Sequence, residues 1–205
     1  MVKTSPSPKG SCQIVAIGAS TGGPGALVEL LKDLPCDFPI PVVVAQHIET
    51  NFLEGLVKWI STLLKIGVGI AEEGRTLKPG HIYFARTVGQ LNITNELRAH
   101  YVVADETQLY TPNIDLFFAS LAKCQIQGIA ILLTGMGQDG AIGLKALADN
   151  GWRTFVQKRD SCVVSGMPSA ALKISAKHIE GTPFALSGFL KTEGLLNTRR
   201  TDASK

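Results

Sequence analysis

Three side chains in this 205-residue sequence stand where short apolar runs break into turns: Ser20, His47 and Asp139. Ser20 lies in VAIGASTGGPGAL (Val15 to Leu27), an apolar run that gives way to glycines around a single serine. Gly18-Ala19-Ser20-Thr21-Gly22 fits G-x-S-x-G, a strand-to-helix turn that lifts a serine hydroxyl above a sheet edge and leaves room for a substrate carbonyl. The helix that follows supplies unpaired N–H groups and partial positive charge, the ingredients of an oxyanion hole. A serine hydroxyl is a weak nucleophile near neutral pH and requires a base. His47 closes the run PVVVAQH and can serve as one. The base in turn requires an acid to orient it, and LLTGMGQDGA puts Asp139 just past a third apolar run. In a parallel sheet all three stand beyond strand C-termini, where open α/β sheets place their sites.

Each residue also has a plainer reading. Ser20 suits a helix N-cap, and Asp139 suits a cap for a helix beginning near Gly140, where the helix N-terminus also keeps a carboxylate ionised. A histidine at a strand end commonly serves only as a hydrogen-bonding surface group. The glycine turn itself suggests a phosphate loop, and with it a nucleotide-binding Rossmann-like protein. GASTGG is not GxGxxG, however, and the second run ends in Gln46 and His47 where a ribose would meet Asp or Glu. His81, His100 and His178 fall outside the pattern of turns. The chain order Ser, His, Asp differs from that of α/β-hydrolases and of both protease orders, which disfavours a common lipase or esterase.

The elements that must position these residues follow from periodicity. Runs at Ile14–Ala19, Pro41–Gln46, Gly128–Gly135 and Thr154–Gln157 predict buried strands. Helix faces are predicted at Leu27, Leu30, Leu31 and Leu34, with Pro24 in the first turn, and at Phe52, Leu56, Ile60 and Leu63. Three more are predicted at Ile114, Phe117, Phe118 and Leu121; at Leu144 and Leu147; and at Met167, Ala171 and Ile174. The alternation predicts an α/β fold: a doubly wound, mostly parallel sheet with helices on both faces, a Rossmann-like three-layer arrangement. Between Val68 and Asp105 the runs HIYFA, QLNIT and HYVVAD have no helix between them and predict an antiparallel extension of the same sheet. Residues 1–11 read as a flexible leader or linker, 12–190 as one domain and 191–205 as a flexible tail.

Composition narrows the function. With 45% apolar and 18% charged residues the chain can bury a sizeable core. The net charge of +3 is scattered, which argues against nucleic-acid binding. No apolar run approaches the roughly 20 residues needed to span a bilayer, and the start has no signal-peptide core, so no membrane insertion is expected. Cys12, Cys36, Cys124 and Cys162 lack metal-ligand spacing and a disulfide pattern. A cytoplasmic protein is the simplest expectation.

Several spaced blocks together carry a family resemblance: IGASTGGP, AQHI with Phe52 downstream, ILLTGMGQDGA, SCVVSGMP and, more weakly, PNID at Pro112 to Asp115. Over Ile14 to about Leu190 the chain resembles the catalytic domain of the bacterial chemotaxis protein-glutamate methylesterases, the CheB family. The resemblance implies a triad of Ser20, His47 and Asp139 that removes methyl esters from glutamate side chains on the cytoplasmic helices of methyl-accepting chemoreceptors. It also implies deamidation of receptor glutamines, with no metal or organic cofactor. Oxyanion contacts are expected from Thr21, Gly22 and Met136. The family's response-regulator receiver domain is expected as a separate partner, and TSPSPKG reads either as a remnant of the linker to it or as the start of a stand-alone protein. Two segments depart from the family pattern. Gln90 in ARTVGQL stands where a histidine is expected, and QLYT (Gln108 to Thr111) replaces basic residues. Both are expected to alter substrate contacts. The alternative from another class is a receptor-binding pseudo-esterase without catalysis, which would not require His47 and Asp139 at their turns.

Overall fold

The run IVAIGA forms β1 (Ile14–Ala19), buried along its whole length. A parallel strand covered on both faces has no solvent side, so its apolar residues need not alternate with polar ones. The structure is a computed structural model that describes residues 12–104 and 111–202, from 198 onward as backbone alone. The leader at 1–11 and most of the QLYT block, Gln108 to Tyr110, lie outside the described residues.

After β1 come α1 (Gly23–Leu31), β2 (Val42–Gln46), α2 (Thr50–Leu63), β3 (Gly67–Ile70), β4 (His81–Phe84), β5 (Gln90–Ile93) and β6 (Ala99–Val102). The chain continues through α3 (Ile114–Ala122), β7 (Gly128–Leu132), α4 (Ala141–Asp149), β8 (Arg153–Gln157), α5 (Gly166–Ile174), β9 (Ile179–Gly181) and α6 (Pro183–Asp202). Seven strands form one parallel sheet in the order β3-β4-β2-β1-β7-β8-β9. The chain leaves β1 toward β2 on one side and later returns to add β7 on the other. The strand order therefore reverses beside β1, the position where open α/β sheets leave a crevice.

Alternate residues of each strand feed two cores. Val15, Ile17 and Ala19 face Leu27, Leu30 and Leu31 of α1, Leu53, Leu56 and Ile60 of α2, and Leu186 and Leu190 of α6. Ile14 and Ala16 face Ile114, Phe117, Phe118 and Leu121 of α3, Leu144 and Leu147 of α4, and Met167 and Ala171 of α5. This is the predicted three-layer arrangement.

Four expectations are corrected. The middle segment does not extend the sheet in antiparallel fashion. Instead β3 and β4 join the main sheet as parallel strands, and only β5 and β6 pair antiparallel, as a separate two-stranded sheet. On α2 the buried face is Leu53, Leu56 and Ile60, while Phe52 and Leu63 are exposed. On α5, Ile174 is likewise exposed. Residues from 191 onward, read as a flexible tail, continue α6 as far as Asp202. There Glu193 forms a two-pronged ion pair with Arg153 of β8, one contact measuring 2.6 Å, with both side chains largely buried. Phe189 stacks beneath the Arg153 guanidinium at 5.2 Å.

Candidate active site

The ladders of the sheet run one rung past the strands and place the site residues directly. Ser20 N–H donates to Thr134 C=O at 3.0 Å, and His47 N–H donates to Ala19 C=O at 3.0 Å. Ser20 thus leaves β1 between the ends of β2 and β7, beside the strand reversal. The chain must then turn sharply into α1, and Gly22 does so with a left-handed φ of +81°. A side chain there would be strained and would run into Val163. Gly22 is also the N-cap of α1, without a side-chain cap bond, so Ser20 does not cap the helix. Its hydroxyl is left for other use.

That hydroxyl meets His47. Ser20 Oγ lies 3.2 Å from His47 Nδ1, and His47 Nε2 lies 2.8 Å from Asp139 Oδ2. With Asp139 ionised, Nε2 carries the ring proton and donates it, and the bare Nδ1 accepts from Ser20. The ring is reversed relative to the serine-protease template, in which Nε2 faces serine. The two nitrogens are equivalent as base and donor, so the relay is chemically the same. The side chains of His47 and Asp139 are only 8% and 9% exposed.

Asp139 is held by more than histidine. Oδ2 also accepts from Ile114 N–H at 2.8 Å, and Oδ1 accepts from Asp115 N–H and Gly140 N–H, each at 2.9 Å. Two of these donors open α3, and the third is the N-cap of α4, so two helix N-termini converge on one carboxylate. Burial pushes the Asp139 pKa up most strongly, yet the bonds from His47, Ile114 and Asp115 together outweigh it and hold the group below its ordinary value. Asp139 is not the N-cap of α4, a position that Gly140 holds without a side-chain cap bond, but its carboxylate lies against both the Gly140 N–H and His47. Asp115 stands alongside, accepting from Gly143 N–H at 2.7 Å, and is pushed up by burial and by the Asp139 charge.

Several residues that arrange the site carried no signal in the sequence. Gln46 turns back and donates from Nε2 to Ser20 C=O at 3.0 Å and to His47 C=O at 2.9 Å. The residue whose type spoke against a ribose partner is thus an internal clamp between the Ser20 loop and His47. Thr134 N–H donates to Gln157 Oε1 at 2.8 Å, and its hydroxyl accepts from Val164 N–H at 3.0 Å. That hydroxyl also lies 3.0 Å from Thr21 C=O, so one buried threonine ties together the loops after β1, β7 and β8. Gly135 backs onto Ser20: a Cβ there would stand 2.7 Å from Ser20 Cβ and overlap Met167 Sδ.

Of the expected oxyanion contacts, Thr21 and Met136 are exposed beside Ser20 and Gly22 is half-buried. Gln90 departs from expectation. It is 2% exposed and bonded to the backbone of Asn113, so it forms no external substrate contact. The remaining histidines lie elsewhere: His81 on the Pro79 carbonyl, His100 on Glu73 and His178 on Thr154. Among the described residues no cluster of three or more His, Cys, Asp or Glu side chains could hold a metal ion. No helix among them is long and apolar enough to cross a membrane.

A hydrogen-bonded Ser–His–Asp chain thus stands at the strand reversal of a parallel sheet in a fold of the open α/β class. Within that class the chain belongs to the CheB methylesterase family, whose family model matches residues 15–185. The chain is 42% identical over 168 residues to protein-glutamate methylesterase/protein-glutamine glutaminase 2 of Burkholderia orbicola, covering 82% of this chain and 50% of that protein. It is 37% identical over 181 residues to the similarly named protein of Methanospirillum hungatei, covering 88% and 52%. The chain therefore spans about half the length of the curated relatives it matches. Its structure matches the crystal structure of the Thermotoga maritima CheB methylesterase catalytic domain with a TM-score of 0.83 and 29% identity, covering 89% of this chain and 98% of that one.

Proposed function

We propose that this domain, from residue 12 through α6, hydrolyses methyl esters of glutamate side chains on methylated chemoreceptors. Ser20 is the nucleophile, His47 the base and Asp139 the group that orients it. The observation that carries the reading is the continuous relay from Ser20 Oγ to His47 Nδ1 at 3.2 Å and from His47 Nε2 to Asp139 at 2.8 Å. The names of the relatives supply the substrate class.

In this mechanism Ser20 Oγ attacks the ester carbonyl carbon while His47 Nδ1 takes the hydroxyl proton. The resulting imidazolium is stabilised by the Asp139 carboxylate. The tetrahedral intermediate collapses, and the departing methoxide takes the Nδ1 proton and leaves as methanol. Water repeats the sequence on the acyl-enzyme and frees the glutamate carboxylate and Ser20. With a glutamine substrate the leaving group is ammonia, so the same relay supports deamidation.

The oxyanion requires free backbone donors next to Ser20. Ser20 N–H is engaged by Thr134 and Gly135 N–H by Val164, which excludes those two. The next donors along the two loops are the N–H groups of Thr21, Gly22 and Met136, and these we assign to the oxyanion. The partners are chemoreceptor cytoplasmic helices and a response-regulator receiver domain, and the location is the cytoplasm. The test is methanol release from methylated receptor fragments, with Ser20→Ala as the control. The variant should lose turnover while its melting temperature stays within a few degrees, since only the one 3.2 Å bond at its hydroxyl is removed. Wild-type turnover in Ser20→Ala would exclude Ser20 as nucleophile.

A further inference from the structure

We propose that Gln90 is a positioning residue for the triad, fixing the first turn of α3 so that its backbone donors keep Asp139 against His47. The proposal rests on the esterase reading above. Gln90 begins β5, and its buried amide pairs with both backbone groups of one residue. Oε1 accepts from Asn113 N–H at 2.9 Å, while Nε2 donates to Asn113 C=O at 3.1 Å and to Leu91 C=O at 3.2 Å. The side chain thus treats Asn113 as a strand neighbour would.

Asn113 is the N-cap of α3, its own side chain accepting from Leu116 N–H at 2.8 Å. The next two N–H groups, of Ile114 and Asp115, are the ones that hold Asp139. An unbroken path therefore runs from the Gln90 amide through the Asn113 backbone to Asp139, His47 and Ser20. The apolar face of α3 packs this helix on the sheet. Apolar contact is non-directional and tolerates small slides along the helix axis. Apart from the bonds to Asp139 itself, the directional ties at this end of α3 among the described residues include the Gln90 pair with Asn113 and the Asp115 bond to Gly143. Removing the first lets the two amides that hold Asp139 drift, and the carboxylate with them.

The test uses Gln90→Met, which keeps length but loses both partners, and Gln90→Glu, which still accepts from Asn113 N–H but cannot donate. Turnover of methylated receptor fragments is measured with the low-field NMR resonance of the His47 Nε2 proton. Gln90→Met should lower kcat roughly ten-fold with KM changed by less than about two-fold, because a misplaced orienting group costs rate rather than binding. The Nε2 proton resonance should move. Gln90→Glu should show a smaller change in the same direction, and it carries the test if Gln90→Met does not fold. In an Asp139→Asn background Gln90→Met should cost less than about two-fold further, since the link it acts through is already cut.

An unmoved resonance, with or without lost turnover, overturns the proposal by leaving Gln90 a merely structural role. A full ten-fold loss in the Asp139→Asn background overturns it too. If the wild-type protein releases no methanol, the esterase reading alone fails. The resonance then still decides Gln90: moved supports its positioning role, unmoved ends it.

Discussion

Replacing Asp139 with asparagine tests the relay where the geometry makes the outcome calculable. Every group that faces this carboxylate is a donor: His47 Nε2 and Ile114 N–H on Oδ2, and Asp115 N–H and Gly140 N–H on Oδ1. An asparagine offers a carbonyl on one side only. With that carbonyl toward Asp115 and Gly140, its NH2 faces Ile114 N–H and His47. One backbone donor is lost, and His47 can bond only by shifting its proton to Nδ1. That tautomer has no lone pair left for the Ser20 proton.

With the amide turned the other way the tautomer survives, but two buried backbone donors face an NH2. Each unpaired donor costs about 1–3 kcal/mol, so the inactive arrangement is preferred by about that amount, a factor of roughly 5 to 150. The remaining active fraction lacks the negative charge that stabilises the imidazolium. Together the two losses should approach the ~10⁴-fold drop known for the equivalent change in serine proteases, about 5.5 kcal/mol of barrier. The assay is methanol release at saturating substrate, with ¹⁵N NMR reading the His47 tautomer. Turnover within ten-fold of wild type, or a proton still on Nε2, would refute this reasoning. A stability arm follows from linkage. The folded pKa of Asp139 is depressed, so its contribution is present above the unfolded value of about 4 and is lost as pH falls through the folded value. The stability gap between wild type and Asp139→Asn should therefore narrow below about pH 4 in denaturant titrations.

Two further perturbations probe the support around the relay. Gly135→Ala places a methyl group over Met167 Sδ and 2.7 Å from Ser20 Cβ, so it should cost about 1–3 kcal/mol in denaturant melts and roughly ten-fold or more in turnover. Wild-type turnover would show that the Ser20 loop yields freely. His178 is buried on Thr154, and burial lowers its pKa from 6.5 to about 4. The unfolded chain binds that proton first, so stability should fall by about 2 kcal/mol between pH 7 and 5 and level off below about pH 4. His178→Asn should flatten that slope, and an unchanged slope would remove His178 as its source.

The meeting of Ser20, His47 and Asp139 was legible because these residues are carried by strand ends. Once IVAIGA, VVVAQ and GIAIL are read as parallel strands, the side chains just beyond them fall on one edge. What failed elsewhere failed for physical reasons. On α2 the faces Phe52-Leu56-Ile60-Leu63 and Leu53-Leu56-Ile60 share two residues, and only packing against the sheet selects Leu53. The short β3, GVGI, alternates glycine with β-branched residues at a sheet edge, so it buries too little to show as a run. The end of α6 reads as polar because its anchor is a charge: Glu193 is buried only by virtue of Arg153, forty residues away.

The holders of the site were hidden by a related cause. Gln46, Gln90 and Thr134 act through side-chain bonds to backbone groups, and such bonds leave no mark in hydropathy or spacing. Thr134 reaches the Thr21 carbonyl across 113 residues, and Gln90 reaches Asn113 across 23. A peptide group looks the same whatever side chain it bears, so the partner sequence carries no complementary signal. Motif comparison then misleads in a specific way, marking Gln90 as a departure and suggesting a changed surface contact. The buried pair with Asn113 gives that departure a different meaning. An amide offers a donor and an acceptor side by side, matching the N–H and C=O of one backbone residue, and here that residue opens the helix whose first two N–H groups hold Asp139.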